Sequence, residues 1–566
     1  YIRDQIFYLE QMPIRGFQST VDNNLIFGIG ENVSIDSIEV NWDDGKQTTL
    51  YNISSNQTIP INKSNANSAN EVYQDNVKLF NEVGDEILSH IHYENNFVDF
   101  DRDRLLFHMS SSEGSCICEG DINNDGYPDL YIGGSKGYPG SIYIWKKNRF
   151  IKYLYPFLDE DKESEDTDCI FFDANSDGNL DLYVASGGNE YSIYSPELRD
   201  RLYFNNGDTF NKSTQILPAG KFESSSVVLK NDYDNDGDDD LFVGTRLIPQ
   251  KYGLPSNGYF LENDGYGNFS DVTARIADKL NNIGMITDAK FFDYDIDGDN
   301  DLILVGHWMP ITLFENINGS FSPKEIGAFE KSEGWWNTIE LGDLNNDGKL
   351  DLVVGNHGEN SRFKASKSKP VSMYINDFDD NNSIEQVIFQ YNGDSSYTMA
   401  LRHDLVMQMP GLKKRYLKYN SYKNQTVHDI FSPEKIRTSH VNLVHDLKTS
   451  AFLNKGNDFE KISLPIESQF SNIFSVGIDD YNNDGYSDII LAGNLYDVKP
   501  EVGRYDANYG QILLGGEELK FEVVPYNYSG LSLDSQVRDF SILKNLGGKN
   551  YLLVLNNNDT LQSYSF

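Results

Sequence analysis

The sequence predicts an all-β chain: a seven-bladed β-propeller with calcium loops, preceded by a small β-rich module. Three observations predict it. An acidic loop pattern recurs along the 566 residues, each copy leads into a short aliphatic strand, and a phenylalanine recurs at a near-constant distance before each loop glycine. Self-similarity of this kind marks a repeat architecture, in which each unit buries its apolar face only against its neighbours.

The loop pattern places oxygen-bearing side chains at positions 1, 3, 5 and 9, with glycine at 6. Its copies are Asp121, Asn123, Asp125 and Asp129; Asp173, Asn175, Asp177 and Asp181; and Asp232, Asp234, Asp236 and Asp240. Three more are Asp293, Asp295, Asp297 and Asp301; Asp343, Asn345, Asp347 and Asp351; and Asp480, Asn482, Asp484 and Asp488. A hard cation takes six to eight oxygens at about 2.3–2.6 Å, and this alternation aims successive side chains at one ion. The carbonyl of position 7 is expected to add a ligand, from Tyr127, Asn179, Asp238, Asp299, Lys349 and Tyr486 in turn. Glycine at position 6 supplies a turn that a Cβ resists. The expected cofactor is calcium, about six to seven ions, in a structural role. Paired carboxylates can also do acid–base chemistry, but a spacing of one ion set per loop favours the metal.

An EF-hand opens the same way, yet it needs a bidentate glutamate at position 12 and flanking helices. Position 12 here is Ile132, Val184, Val243, Leu304, Val354 and Leu491. These aliphatic runs read as buried strands. Between loops lies an aromatic strand, a polar Asn-Gly or Asp-Gly turn and a closing phenylalanine, as in Leu202 to Phe210 and Tyr259 to Phe269, which reads as a hairpin. The step from closing Phe to next loop Gly is 28, 27, 29, 27 and 26 residues from Phe150, Phe210, Phe269, Phe321 and Phe459. Twenty-seven residues beyond Phe521 stands Gly548, in a copy that keeps its strands and lacks the acids. Seven units of about four strands each define the propeller, placed at 71–566.

Glycines 348 and 485 stand 137 residues apart, so a partly helical insertion is expected at about 377–450. Within it, Asp377, Asp379, Asn381 and Glu385, with Ser383 at position 7, form a degenerate seventh loop in which Asn382 replaces glycine. It reads as a loop grown on a hairpin and not as another blade. Pro410 to Phe431 reads as helical, with Lys413, Lys414, Arg415, Lys418 and Lys423 on a solvated basic face.

These loops resemble the FG-GAP or VCBS repeats of integrin α-subunit propellers and bacterial surface proteins, over about residues 110–566. Upstream, Gly16-Phe-Gln-Ser, Leu25-Ile-Phe-Gly28-Ile-Gly30, Ile38-Glu-Val-Asn-Trp42-Asp-Asp-Gly45 and Asn56-Gln-Thr resemble the ASPIC/UnbV module, placed at 1–70, with Asp43 where that family usually has proline. Segments at His90 to Asn96, Asp99 to Arg102 and Pro410 to Arg415 are similar to its Bacteroidota subgroup. The resemblance implies an extracellular or bacterial cell-surface scaffold, outer-membrane associated. It implies a protein or glycan ligand, in the setting of a starch-utilisation-type transporter complex. It also implies that this chain is the C-terminal half of a longer protein, as does a start at Tyr1 instead of methionine.

Composition agrees. Lys and Arg number 47 against 87 Asp and Glu, a net charge of −40, which repels nucleic-acid phosphates and argues against a nucleic-acid partner. The seven loops hold twenty-three of the acids, and seven calcium ions would offset fourteen charges. No run of 18 apolar residues offers a membrane-spanning helix. Cys116, Cys118 and Cys169 are odd in number and lack zinc spacing, so they read as three small buried side chains. His90 and His92 alternate on a possible strand and read as structural. His307, Trp308, Trp335, Trp336 and His357 follow loop strands by a few residues and are the candidates for a partner-binding surface. The reading favours a non-enzymatic scaffold; the alternative is a calcium-dependent polysaccharide lyase on the same fold. No His-Glu-x-x-His or phosphate-loop motif is present.

Overall fold

The computed structural model describes all residues except 3–5, 13–18, 21, 32–33, 44–45, 69–77, 219 and 221. Gly16 to Gln18, and Gly45 with its neighbour Asp44, thus lie outside the described residues. The chain divides into two units, 1–77 and 78–566. The first unit holds a three-stranded antiparallel sheet built from Ser34–Asn41, Lys46–Ser54 and Asn67–Ser68. Its Trp42 indole donates to Thr48 Oγ1 at 2.9 Å, which secures the connection between the first two strands.

The second unit is built from antiparallel sheets of four strands, one of which adds Gly334–Trp335 as a fifth. Their innermost strands are Ile117–Gly120, Glu165–Phe172, Ser224–Asn231, Met285–Phe292, Thr338–Gly342, Ile473–Asp479 and Val537–Leu546. Each touches the next in this order, and the last touches the first, so the seven sheets close a ring. We number these blades 1 to 7. Second strands such as Asp129–Ile132, Asp181–Gly187 and Asp351–Gly355 are buried along their whole length, because blades cover both faces. That is why they read as continuous aliphatic runs without alternation. Blade 7 takes three strands from the C-terminal end and its outermost strand, Asn81–Glu82, from the start of the unit; Glu82 pairs with Tyr564 and Asn81 with Ser565. Among the described residues no helix is long and apolar enough to cross a membrane.

The insertion is larger and more ordered than the expected stretch at 377–450. It occupies 356–449, between the second and third strands of blade 5 (Asp351–Gly355 and Ser450–Asn454). It carries a sheet of its own, ordered Ser395–Thr398, Glu385–Asn392, Val371–Asn376 and His440–Val444, with short helices at Arg402–Gln408, Val427–Ile430 and Pro433–Thr438. The Asp377 loop joins two strands of this sheet, with Asn376 opposite Glu385. Blade loops have the same register, for example Phe172 opposite Asp181. So the loop belongs to an additional sheet outside the ring, not to an extended blade hairpin. One face of that sheet (Val371, Met373, Ile375) packs with Leu247, Tyr252 and Met285 of blades 3 and 4. The other (Val387, Phe389) packs under the helices through Leu405, Tyr416 and Ile430. The basic stretch is a run of 3-10 turns, and Arg415 turns inward to donate to the Ile430 carbonyl at 3.0 Å.

Cysteine pairing corrects another expectation. Cys118 and Cys169 form a disulfide, with Cα atoms 5.8 Å apart, and Cys116 alone stays free and buried. Their separation of 51 residues is close to one repeat, which places them on the adjacent innermost strands of two successive units. Replacing Cys118 with Ala should cost about 2–4 kcal/mol. The urea midpoint under non-reducing conditions reports this, and a reductant added to the parent protein should reproduce the shift.

Candidate functional site

All seven acidic loops share one backbone path. The first aspartate accepts two main-chain bonds: Oδ1 from the amide of position 5 at 3.0 Å, and Oδ2 from that of position 6 at 2.8–3.1 Å. Position 5 accepts from the amide of position 7 in every copy, which turns the position-7 backbone into the loop. Position 6 is left-handed throughout, including Asn382 at φ 67°. So is position 4, occupied by Asn124, Ser176, Asn235, Ile296, Asn346, Asp380 and Asn483. Asparagine tolerates that region, and its recurrence at position 4 was a signal the sequence reading passed over. Ile296 is the misfit: a β-branched residue at φ 63°, 65% exposed, where Cβ crowds the backbone.

Position 9 ties the loop to the sheet. Asp129, Asp181, Asp240, Asp301, Asp351, Glu385 and Asp488 are all buried. Five of these carboxylates accept from the amide of loop position 2: Asp181 from Ala174, Asp301 from Tyr294, Asp351 from Leu344, Glu385 from Phe378 and Asp488 from Tyr481. In the six blades the other oxygen accepts from the end of the third strand, at 2.7–2.9 Å from Trp145, Asn205, Asn263, Asn316, Asn454 and Gly515. Three of those asparagines also clamp the preceding blade, since Asn205, Asn263 and Asn454 donate Nδ2 to the carbonyls of Ile122, Ala174 and Tyr294.

Burial, aided by the other loop carboxylates, raises the position-9 acids far above the usual carboxylate range. They reach about 7 at Asp129, Asp181, Asp301 and Glu385, about 8 at Asp240, and about 6 at Asp351 and Asp488. Ligand oxygens of Asp232, Asp234 and Asp240 lie within 4.8 Å of one another, as do those of Asp293, Asp295 and Asp297, and of Asp377, Asp379 and Glu385. Within these loops Asp295 Oδ1 and Glu385 Oε1 are buried without a hydrogen-bond partner. Three negative groups converging on buried, unsatisfied oxygens suit a divalent cation. In three of the four loops where position 3 is asparagine, its amide instead donates to a loop carboxylate: Asn123 to Asp129, Asn345 to Asp347 and Asn482 to Asp484.

The five candidates for a partner surface are all buried. Trp336 is core, its indole bonded to the Ser332 carbonyl at 2.8 Å. Trp308 and Trp335 contact each other edge-on in the layer between insertion and ring. His307, Trp335 and His357 do converge, on the mouth of the propeller axis. There they meet His108, Arg246 and Arg538, three residues that the sequence reading missed for want of any local motif. A chamber of about 120 Å³ continues along the axis, lined by Ser115, Thr167, Ser226, Thr287, Asn337, Phe474 and Arg538, one from the start of each innermost strand. Burial holds His108 and His357 down to about 3 and His307 well below its ordinary value, with Arg246 adding at His108 and His307. The rings are therefore neutral. Burial also lowers Arg246 and Arg538 to about 10. Arg246 pairs with Glu113, and Arg538 donates to the Glu113 and Asn494 carbonyls while lying over the Phe474 ring. His90 and His92 part company: His90 bonds the Tyr143 hydroxyl and His92 Nδ1 accepts from the Asn558 amide.

Residues 1–68 match the family described as ASPIC and UnbV. Residues 121–184, 173–243 and 293–354 match the FG-GAP-like repeat. The chain carries an ASPIC/UnbV segment and FG-GAP-like repeats on a β-propeller fold. Among solved structures it is similar to an Agrocybe aegerita lectin that recognises non-reducing terminal N-acetylglucosamine, at 14% identity over 77% of this chain and 84% of that one, TM-score 0.40. It is also similar to the V. cholerae biofilm matrix protein Bap1, at 10% identity over 85% and 91%, TM-score 0.36. YCF48 from Cyanidioschyzon merolae matches at 9% identity over 80% and 96%, TM-score 0.38. The search of curated proteins returned no match.

Two expectations follow from the loops. Ile296→Asn should raise stability by about 1 kcal/mol, read as a higher melting temperature, because asparagine accepts the left-handed turn that isoleucine resists. In a chelating buffer the position-9 acids titrate near 6–8 in the folded state against 3.8–4.5 ordinarily. Their folded values are raised, so their contribution is fully present below about pH 4 and is lost as pH climbs through 6–8. Melting temperatures of the chelated protein should fall from pH 5 to pH 8.

Proposed function

We propose that this propeller is a non-enzymatic, calcium-stabilised scaffold, extracellular or at the bacterial cell surface, that binds a protein or glycan partner. The observation that carries the metal part is the convergence of three acidic ligand groups in the Asp232, Asp293 and Asp377 loops, with buried carboxylate oxygens left unpaired. Asp121, Asp173, Asp343 and Asp480 head loops of the same path and complete the set. At sites with dissociation constants on the order of 10⁻⁴–10⁻³ M, millimolar calcium stabilises by roughly 0.4–1.4 kcal/mol each. Over seven loops that reaches several kcal/mol, comparable with a domain's whole margin. Calcium would hold the loop carboxylates ionised in place of the protonation that burial otherwise favours. The role is architectural: rigid loops keep the blades in register and present the insertion-bearing face for recognition. A partner in an outer-membrane transporter complex accords with the resemblance to bacterial surface proteins.

Calcium at millimolar concentration should raise the melting temperature by several degrees and flatten its decline between pH 5 and pH 8; an identical melt in calcium and in chelator would refute the metal assignment. Two variants separate metal from architecture. Asp234→Ala should lose about 1 kcal/mol of stability in calcium and almost none in chelator. Asp240→Ala should cost about 1–3 kcal/mol in both, because it also frees the Asn263 amide.

A further inference from the structure

Beside the axial mouth, the connection after the second strand of blade 5 (359–364) faces the loop between the second and third strands of blade 6 (502–507) across a recess of about 350 Å³. A second recess of about 330 Å³ adjoins it, sharing Glu359, Asn360 and Ala507 and extending to Ile466 and Phe470. Each is within the range of small-ligand sites. The two ends differ in chemistry. Arg362, Lys364 and Arg504 line the first recess, a local reversal in a chain of charge −40. Among the described residues neither arginine has a carboxylate within ion-pair distance; Arg504 lies over the Tyr496 ring at 4.9 Å and Arg362 over Phe363 at 6.0 Å. Of the two acids that line the recess, Glu359 pairs with Lys448 at 3.6 Å, and Asp506 remains. The second recess is apolar, with Ile466 60% and Phe470 38% exposed.

The walls are rigid. Gln469 accepts the amides of both Glu359 and Asn360 at its carbonyl, and Asn360 Nδ2 bonds the Phe470 carbonyl at 3.1 Å. Tyr505 exchanges main-chain bonds with Leu495, and its hydroxyl meets Ser361 Oγ at 3.1 Å. Ser361 in turn meets His357, so the cleft floor is bonded to the axial mouth. The amides of Glu359, Asn360 and Tyr505 are thus engaged within the fold. Recognition falls to guanidinium, ammonium, amide and hydroxyl side chains beside an aromatic face, which is the chemistry that holds an anionic sugar: charge-assisted bonds to the acid group and packing of the ring's C–H face.

We propose that this cleft binds a short anionic oligosaccharide, its acid group at Arg362 and Arg504 and a neighbouring sugar ring over Phe470. The proposal rests on the scaffold reading above and names its ligand class. Titration calorimetry on the full chain in millimolar calcium tests it with four probes: trigalacturonate, the neutral galactose trisaccharide, a sulfated disaccharide and a glutamate-rich peptide. Expected is binding of trigalacturonate or the sulfated sugar, the stronger of the two identifying the acid group, at least about tenfold tighter than the neutral trisaccharide. Arg362→Gln and Arg504→Gln should each weaken it several-fold with unchanged melting. Phe470→Ala should weaken anionic and neutral sugars alike. Binding of neither anionic sugar, equal affinity for the neutral one, or preference for the peptide would overturn the proposal. The calcium-dependent melt, measured in parallel, reports separately on the scaffold itself.

Discussion

The buried carboxylate at position 9 of each loop is the interaction on which the ring depends. One side chain holds three pieces of chain: the loop that precedes it, the second strand that it begins and the third strand beside it, as Asp181 does between Ala174 and Asn205. Asn205 then reaches the Ile122 carbonyl of blade 1, and Asn263 and Asn454 repeat the step further round. Loop geometry is thereby transmitted from blade to blade. An acid buried this deeply is costly as an anion unless something compensates it, which links the fold's stability to the loop's ionisation and to any cation it holds.

A second set of bonds works at the other end of the innermost strands. Thr167 donates to the Ser225 carbonyl, Ser226 to that of Ile286, Thr287 to that of Trp336 and Asn337 to that of Ile473, each crossing to the next blade. Half-buried Asp168, Asp288 and Asp539 accept amides from their neighbours in the same sense, and the Ile117 amide on Asp539 closes blade 7 on blade 1. Short polar side chains suit this end because the strands converge there and leave the chamber between them. The loops pin the periphery and these ties pin the axis, so the face around the mouth is held from both ends. That face carries the insertion and the basic cleft, away from the acidic loops.

What could be read from sequence follows the range of the interactions. The loops were legible because positions 1 to 9 act on one another within a single turn of chain: an aspartate accepting the amides four and five residues on needs only those residues. The buried strands were legible because blades covering both faces leave no polar alternation, as in Leu352, Val353 and Val354. Even the changed glycine at Asn382 kept its left-handed turn. The partner candidates fared less well. His307, Trp335 and His357 do gather at one place, but strand-exit position says nothing of what lies above, and Phe107 and His108 pack against them there.

By itself the sequence determined the repeat, the loop chemistry, the aliphatic strands and the two-part organisation, since each rests on neighbours within one unit. Only the tertiary structure decided the rest. It paired Cys118 with Cys169 across one repeat, borrowed Asn81–Glu82 for the last blade, raised a separate sheet from 356–449, and set Arg362 opposite Arg504. Those contacts join residues from 51 to more than 480 positions apart. Nothing in local pattern encodes such distances; closure of the ring does, because it brings every blade's ends to a common axis.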